Sequence, residues 1–214
     1  MELDEHEQGE RVRTWLRQNG GSLILGIALG LALVFGWKWW QGRGAAHQLQ
    51  AATQYQQMEV AAAANDTAKV QVFASQLTDK YGDTAYATLA RLRQAAYLQD
   101  ADKTAEAIKV LQVAPAQERA DLGEIRRLRL ARLLLIAGKP ADAASALDKI
   151  PTPAFPGIAG ELRGDIALAR GDLEAARKAY EQALTHLDQS AATRQLVELK
   201  LIDAGGQPPA QPET

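Results

Sequence analysis

The sequence predicts an all-α protein made of one N-terminal transmembrane helix followed by a right-handed α-α superhelix of short hairpins, and three observations predict it. Alanine supplies 41 of the 214 residues against three phenylalanines, a balance that suits close-packed helices better than a sheet of β-branched and aromatic side chains. From Gly20 to Trp37 the chain runs 18 residues without an ionisable side chain. Beyond that stretch a small-xxx-large pair recurs: Ala107 and Leu111, Ala143 and Leu147, Ala176 and Tyr180, at separations of 36 and 33 residues.

Composition narrows the function as well. With 47% hydrophobic and 23% charged residues and a formal net charge of -2, the chain is globular in character and has no long-range positive field for nucleic acid. The absence of cysteine removes disulfides, thiolate metal sites, a cysteine nucleophile and a lipid-attachment cysteine.

Residues 1–19 read as a short acidic cytoplasmic tail. Glu2, Asp4, Glu5, Glu7 and Glu10 precede Arg11, Arg13 and Arg17, while Val12, Trp15 and Leu16 form an amphipathic turn suited to a membrane surface. Residues 20–40 read as the membrane span, since GGSLILGIALGLALVFGW as a helix covers about 27 Å, close to the hydrocarbon thickness of a bilayer. Trp37, Trp39 and Trp40, with Lys38 and Arg43, follow as interfacial anchors in the headgroup region. A cleaved signal peptide would end in small residues where Trp-Lys-Trp-Trp stands, and a core helix would show a polar face that is missing here. Three arginines before the span against Lys38 and Arg43 after it favour an N-terminus in the cytoplasm. Gly26 and Gly30 form a GxxxG through which the span can pack on another membrane helix.

The soluble part, residues 44–203, divides into paired helices. Residues 45–64 and 67–80 make a first hairpin broken at Asn65-Asp66, with Val70, Phe73, Leu77 and Tyr81 on one face of its second helix. Residues 84–99 and 103–113, 118–137 and 141–150, and 157–170 and 172–186 make three more. Gly138 and Gly171 stand in the turns, Asp102 holds that place one copy earlier, and the first hairpin matches the pattern poorly. In GELRGDIALARGDLEAARKAYEQAL, Gly164 and Ala176 let paired helices approach, Gly171 ends the first helix, Asp172 caps the second, and Tyr180 fills the gap to the neighbouring hairpin. A final helix over 191–203, with Leu196, Leu199 and Ile202 at helical spacing, is suited to cap the array. Residues 204–214 hold nothing large enough to dock and read as a disordered tail. Units of this length cannot bury an apolar stripe singly, so they stack. The pattern resembles the tetratricopeptide repeat, a helix-turn-helix unit of about 34 residues.

No catalytic constellation is present. His6, His47 and His186 lie far apart in the chain, and Ser22, Ser75, Ser145 and Ser190 sit in no nucleophile context. The carboxylates Glu118, Asp121 and Glu124, and Glu161 with Asp165, read as helix-start charges paired with Arg119, Arg126 and Arg163. Arg126, Arg127 and Arg129 read either as a solvated face or as a partner-binding basic patch lining a concave groove, able to hold acidic side chains or a C-terminal carboxylate. Pro151, Pro153 and Pro156 read as a rigid bend.

Taken in order, the acidic tail, Trp15-Leu16-Arg17-Gln18-Asn19-Gly20 before the span, Gly36-Trp37-Lys38-Trp39-Trp40 after it, and the repeats LRLARLLLIAGKPADAASALDKI and ELRGDIALARGDLEAARKAYEQAL resemble the YfgM-like family of ancillary SecYEG translocon subunits. The likeness runs from about residue 2 to 203. It implies a single-pass bacterial inner-membrane protein with a periplasmic repeat domain, associated with SecYEG and with a PpiD-like membrane-anchored foldase, assisting newly exported proteins without catalysis, cofactor or metal. The alternative from the residues themselves is a repeat scaffold for another envelope assembly or division machine.

Overall fold

The computed structural model describes residues 2–150 and 153–208, the side chains of residues 2–12, 14 and 40–43 excepted. Among the described residues there are nine α-helices and no strand: α1 (Glu2–Ala63), α2 (Thr67–Lys80), α3 (Ala85–Asp100), α4 (Thr104–Gln112), α5 (Ala120–Ile136), α6 (Pro140–Asp148), α7 (Pro156–Ala169), α8 (Leu173–Thr185) and α9 (Ala192–Asp203). Two compact units share α1, Met1–Gln50 and Ala51–Thr214.

Tail, span and first repeat helix, read as separate pieces, are one uninterrupted helix, α1. Gly20, Gly21 and Gly44 lower helix propensity by about 1 kcal/mol each relative to alanine, but the first proline of the chain is Pro115, so nothing removes a backbone donor along this stretch.

In the first unit the apolar segment is uncovered. Leu23, Ile24, Leu25, Ile27, Leu29, Leu31, Leu33, Val34 and Phe35 are all about half or more exposed, as are Trp37 and Trp39, and an 18-residue window reaches a mean hydropathy of 1.9 with none of it buried. This excludes the core-helix reading and leaves a helix long and apolar enough to cross a membrane. Asn19 donates from Nδ2 to the Trp15 carbonyl at 3.1 Å. Gly26 and Gly30 face open space. The Trp40 and Arg43 side chains lie outside the described residues.

The second unit is a stack of hairpins. Consecutive helices pack in sequence from α2 to α9, and the first helices of successive hairpins, α3 with α5 and α5 with α7, also touch. The repeat is visible in the backbone. Asn65, Asp102, Gly138, Gly171 and Gly205 all have positive φ, between 55° and 82°, each directly after a first helix, and their separations are 37, 36, 33 and 34 residues. A left-handed residue at this place turns the chain into the second helix. Asp66 and Asp172 then cap α2 and α8 by accepting from the Lys69 and Ala175 amides at 3.1 and 2.9 Å, and Pro140 and Pro156 open α6 and α7, where a missing N–H costs nothing.

Ala107, Leu111, Ala143, Leu147, Ala176 and Tyr180 are all at most 1% exposed. Tyr180 shares a buried cluster with Val197 and Leu201 of α9 and packs within its own hairpin as well. Its ring lies over Gly164 within its own hairpin, so closely that any Cβ at 164 would overlap it, and its hydroxyl donates to Asp165 Oδ1 at 2.8 Å.

The last helix buries a set of apolar residues other than the three leucine and isoleucine side chains at helical spacing. Leu196, Leu199 and Ile202 are 49%, 60% and 50% exposed, whereas Val197, Leu201 and Ala204 are buried in one cluster with Ala176, Tyr180, Ala183 and Leu184. Lys200 fixes this rotation by reaching the α7 carboxylates described below. The chain past α9 does not leave the fold at once: Ala204 is buried and the Gly206 amide donates to the Leu201 carbonyl at 2.8 Å. The remainder of the expected tail, residues 209–214, lies outside the described residues.

Candidate docking face

The repeat register defines a common face on the first helices. Arg129, Arg132 and Leu135 of α5 stand nine, six and three residues before Gly138, as Leu162, Asp165 and Leu168 do before Gly171 and Leu196, Leu199 and Ile202 before Gly205. Ion pairs join the helices along this face. Arg93 Nε of α3 lies 3.0 Å from Glu59 of α1. Lys200 Nζ lies 2.7 Å from Glu161 Oε1 and 2.8 Å from Asp165 Oδ2 of α7, and Arg132 of α5 approaches Glu161 at 3.9 Å. The alternation of sign across α5, α7 and α9 sets the helices in register, and the buried Glu161 gains a cation in place of water. Burial pulls the Lys200 ammonium downward, and the hydrogen bonds and charges of Asp165 and Glu161 outweigh it, so its pKa lies above the ordinary lysine value. The expected pairing of these two acids with Arg163 is therefore replaced by pairing with Lys200.

Between α3, α5 and α7 this face opens into a cleft of about 500 Å³ lined by Gln99, Ile125, Leu128, Arg129, Arg132, Leu133, Phe155 and Ile158. Ile125, Phe155 and Ile158 are 36–38% exposed. The lining holds two arginines and no carboxylate. Glu124 shapes its rim from beneath: this 4% exposed side chain accepts from the Ala154 and Phe155 amides at 2.7 and 2.9 Å, which fixes the start of α7 and sets Phe155 at the cleft.

The structure splits the basic patch read from the sequence. Arg126 is 4% exposed and bidentate to Glu118 at 2.6 and 2.8 Å, with Nη1 donating to the Leu111 carbonyl. Arg91 donates to the Val110 carbonyl at 3.3 Å, so two guanidiniums satisfy the open carbonyl end of α4. Burial, then the neighbouring Arg126 charge, lowers the Arg91 pKa. Arg126 is thus structural, because a buried guanidinium needs its carboxylate partner. Arg127 is half-buried and lines a different depression with Asp142, Ser145 and Lys149. Only Arg129 of the three faces the cleft, and there its companion is Arg132. Ile125, Phe155 and Ile158 escaped the sequence reading because single apolar residues at helix starts look like ordinary core positions.

Nothing in this face resembles a reaction centre. Among the described residues no group of three or more His, Cys, Asp or Glu side chains could hold a metal ion. What the arrangement offers is a partly apolar, cationic surface held on rigid helices, suited to receiving a polypeptide.

Comparison with known proteins agrees with the repeat architecture. Residues 13–206 match the family model of the tetratricopeptide repeat-like domain. The chain is similar to the ancillary SecYEG translocon subunit of Haemophilus influenzae, 28% identical over 200 residues that cover 93% of this chain and 97% of that one. It is 28% identical to the protein of the same description from Aggregatibacter actinomycetemcomitans, with the same coverage. With that of Escherichia coli it is 29% identical over 203 residues, 92% of this chain and 95% of the relative. No solved structure matches the chain.

Proposed function

The chain belongs to the tetratricopeptide repeat-like domain family, and we propose that it is a non-enzymatic ancillary subunit of the SecYEG translocon. The observation that carries the reading is end-to-end similarity: the translocon-subunit relatives align over 92–93% of this chain, a span that takes in the exposed apolar helix as well as the repeats. A shared repeat domain alone would say little, since such stacks serve many unrelated assemblies.

In this reading α1 anchors the protein in the bacterial inner membrane with its N-terminus in the cytoplasm, and the repeats lie in the periplasm. The anchor confines the docking face to the neighbourhood of the export channel, which raises its effective concentration near emerging chains. A PpiD-like foldase, itself membrane-anchored, is the second partner, and newly exported proteins are the beneficiaries.

Two experiments test this. Photocrosslinkers at Ile27 and Leu31, used in native membranes, should join the protein to a SecYEG component, and recovery of no translocon component would sink the proposal. A periplasm-dependent reporter fused after Thr214 should be active, and activity only from a cytoplasm-dependent reporter would reverse the orientation.

A further inference from the structure

The first hairpin leaves the outer end of the stack open. Five positions before the left-handed turn, Leu133 of α5 and Ile166 of α7 are 1% and 4% exposed, buried in the cluster that joins their hairpins to the preceding ones. Val60 holds this position on α1, where no hairpin precedes, and it is 66% exposed. Around it α1 and α2 form a groove of about 500 Å³ whose lining includes Thr53, Gln57, Val60, Ala64 and Phe73. The groove adjoins the common face of the first helices only at Gln56, and Glu59 and Ala62, the other α1 residues of that face by register, do not line it. Its charged residues are Asp66 and Lys69, which pair with each other at 2.8 Å.

We propose that this groove seats a second copy of the chain, the two α1 helices lying parallel about a two-fold axis. Thr53, Gln57 and Val60, with Ala64 just past the end of α1, follow one another at spacings of four, three and four residues, the alternation by which one helix lies along another in a two-stranded coiled coil. All four are exposed. A two-fold interface sets a surface against itself and therefore tolerates no excess of either charge. The groove meets this condition, since its acid and its base are already paired, whereas the α3–α5–α7 cleft with its two arginines would repel its own copy. A glutamine amide both donates and accepts, so Gln57 in the seam bonds its own mate and fixes the register. Three turns of helix bury less than the roughly 1,200 Å² of an ordinary stable interface. Confinement of both copies to one membrane supplies the missing concentration and the shared polarity, so the proposal rests on the reading of α1 as an anchor.

The test uses the full-length protein in native membranes. The sequence holds no cysteine, so each introduced cysteine reports one contact, and a disulfide forms only where two Cα atoms come within about 7 Å. After mild oxidation, Val60→Cys and Gln57→Cys should each give a covalent dimer, about tenfold more than Leu173→Cys, which is also exposed but lies on α8. Adding Gln57→Glu or Gln57→Lys to Val60→Cys should reduce the dimer about tenfold, because like charges then face each other across the axis. Coexpression of these two double variants, distinguished by tags, should restore a mixed dimer. Position 57 is exposed, and circular dichroism of the purified variants confirms that they fold. Equal dimer from Val60→Cys and Leu173→Cys, a Val60→Cys product that joins only a different protein, or no response to the charges would overturn the proposal. Membrane-bound protein without the dimer refutes the pairing alone, while protein absent from the membranes refutes the anchor and the pairing with it. Crosslinks from Ile27 and Leu31 report on SecYEG independently of both.

Discussion

At the scale of single residues, the fold depends on how little room it leaves. Gly164 is the sharpest case, because a methyl group there overlaps the Tyr180 ring, and that ring is fully buried and tethered to Asp165. Gly164→Ala should destabilise the protein by about 1–3 kcal/mol, the usual cost of overpacking. Adding Tyr180→Leu should recover part of that loss, as read from urea unfolding followed by circular dichroism. Groups here and in the first hairpin give the protein an alkaline limit. Lys200 titrates above its ordinary value of 10.5. Tyr180 is raised above 10.0 by burial and by its hydrogen bond to Asp165, and Tyr55 is pushed up to about 12 by burial and then by Glu59. A group whose folded pKa is raised contributes stability that is complete below the unfolded pKa and is lost as pH rises through the folded one. The unfolding midpoint should therefore hold below about pH 10 and decline above it. Lys200→Met and Tyr180→Phe should each make that decline shallower, and unchanged slopes in both would remove these groups as its cause.

At the scale of the hairpin, one pair of positions carries most of the packing logic. Seven residues before each left-handed turn and nine after it stand Met58 and Ala74, Ala95 and Leu111, Ala131 and Leu147, and Gly164 and Tyr180. The side chains trade volume across the hairpin: the smaller the first, the larger the second. The members described by exposure are buried to within 1%. In the first hairpin the order is inverted, with the large residue on the first helix, which is why the sequence alone gave that hairpin no clear register while the other three were legible. The turn residue hid it too, since Asn65 does the work of a glycine, as asparagine can at positive φ. Likewise, the basic run 126–129 could be seen in the sequence but not its division, because only the position of α4 decides that Arg126 turns inward to Glu118 and Leu111. The volume trade makes a quantitative prediction. Met58→Ala should cost about 2–4 kcal/mol by leaving a cavity, and Ala74→Leu about 1–3 kcal/mol by overpacking. Together they recreate the arrangement of the other hairpins, so the double variant should be more stable than the sum of the two by about 1 kcal/mol or more. Simple additivity in denaturant titrations would show that the two side chains do not share one space.

At the scale of the whole repeat unit, the question is why the stack ends where it does. Gly205 repeats the turn conformation of Gly171 and Gly138, so α9 is by register the first helix of a fifth hairpin. The positions that accept the second helix are closed, however: Gly160 and Gly164 of α7 correspond to Arg194 and Glu198 of α9. These two form an ion pair at 2.9 Å, and Arg194 also donates to the Leu184 and Leu187 carbonyls at 2.9 Å. A polar pair with its hydrogen bonds already made terminates the array, as a capping repeat must. Its inner side still completes the last cluster through Val197 and Leu201 and holds Glu161 and Asp165 through Lys200. Removing residues 192–214 should therefore cost about 4 kcal/mol from the lost burial of Val197 and Leu201 alone. Because a stack communicates chiefly between neighbours, the loss should be local. Amide hydrogen exchange should accelerate strongly in α7 and α8, less in α3–α6, whose core is continuous with that of α7, and little in α2, whose Val70, Ala74 and Leu77 pack with Met58 of α1 in a separate cluster. Equal acceleration in all of these helices would mean that the unit unfolds as one cooperative block, and that α9 stabilises it as a whole rather than sealing one end.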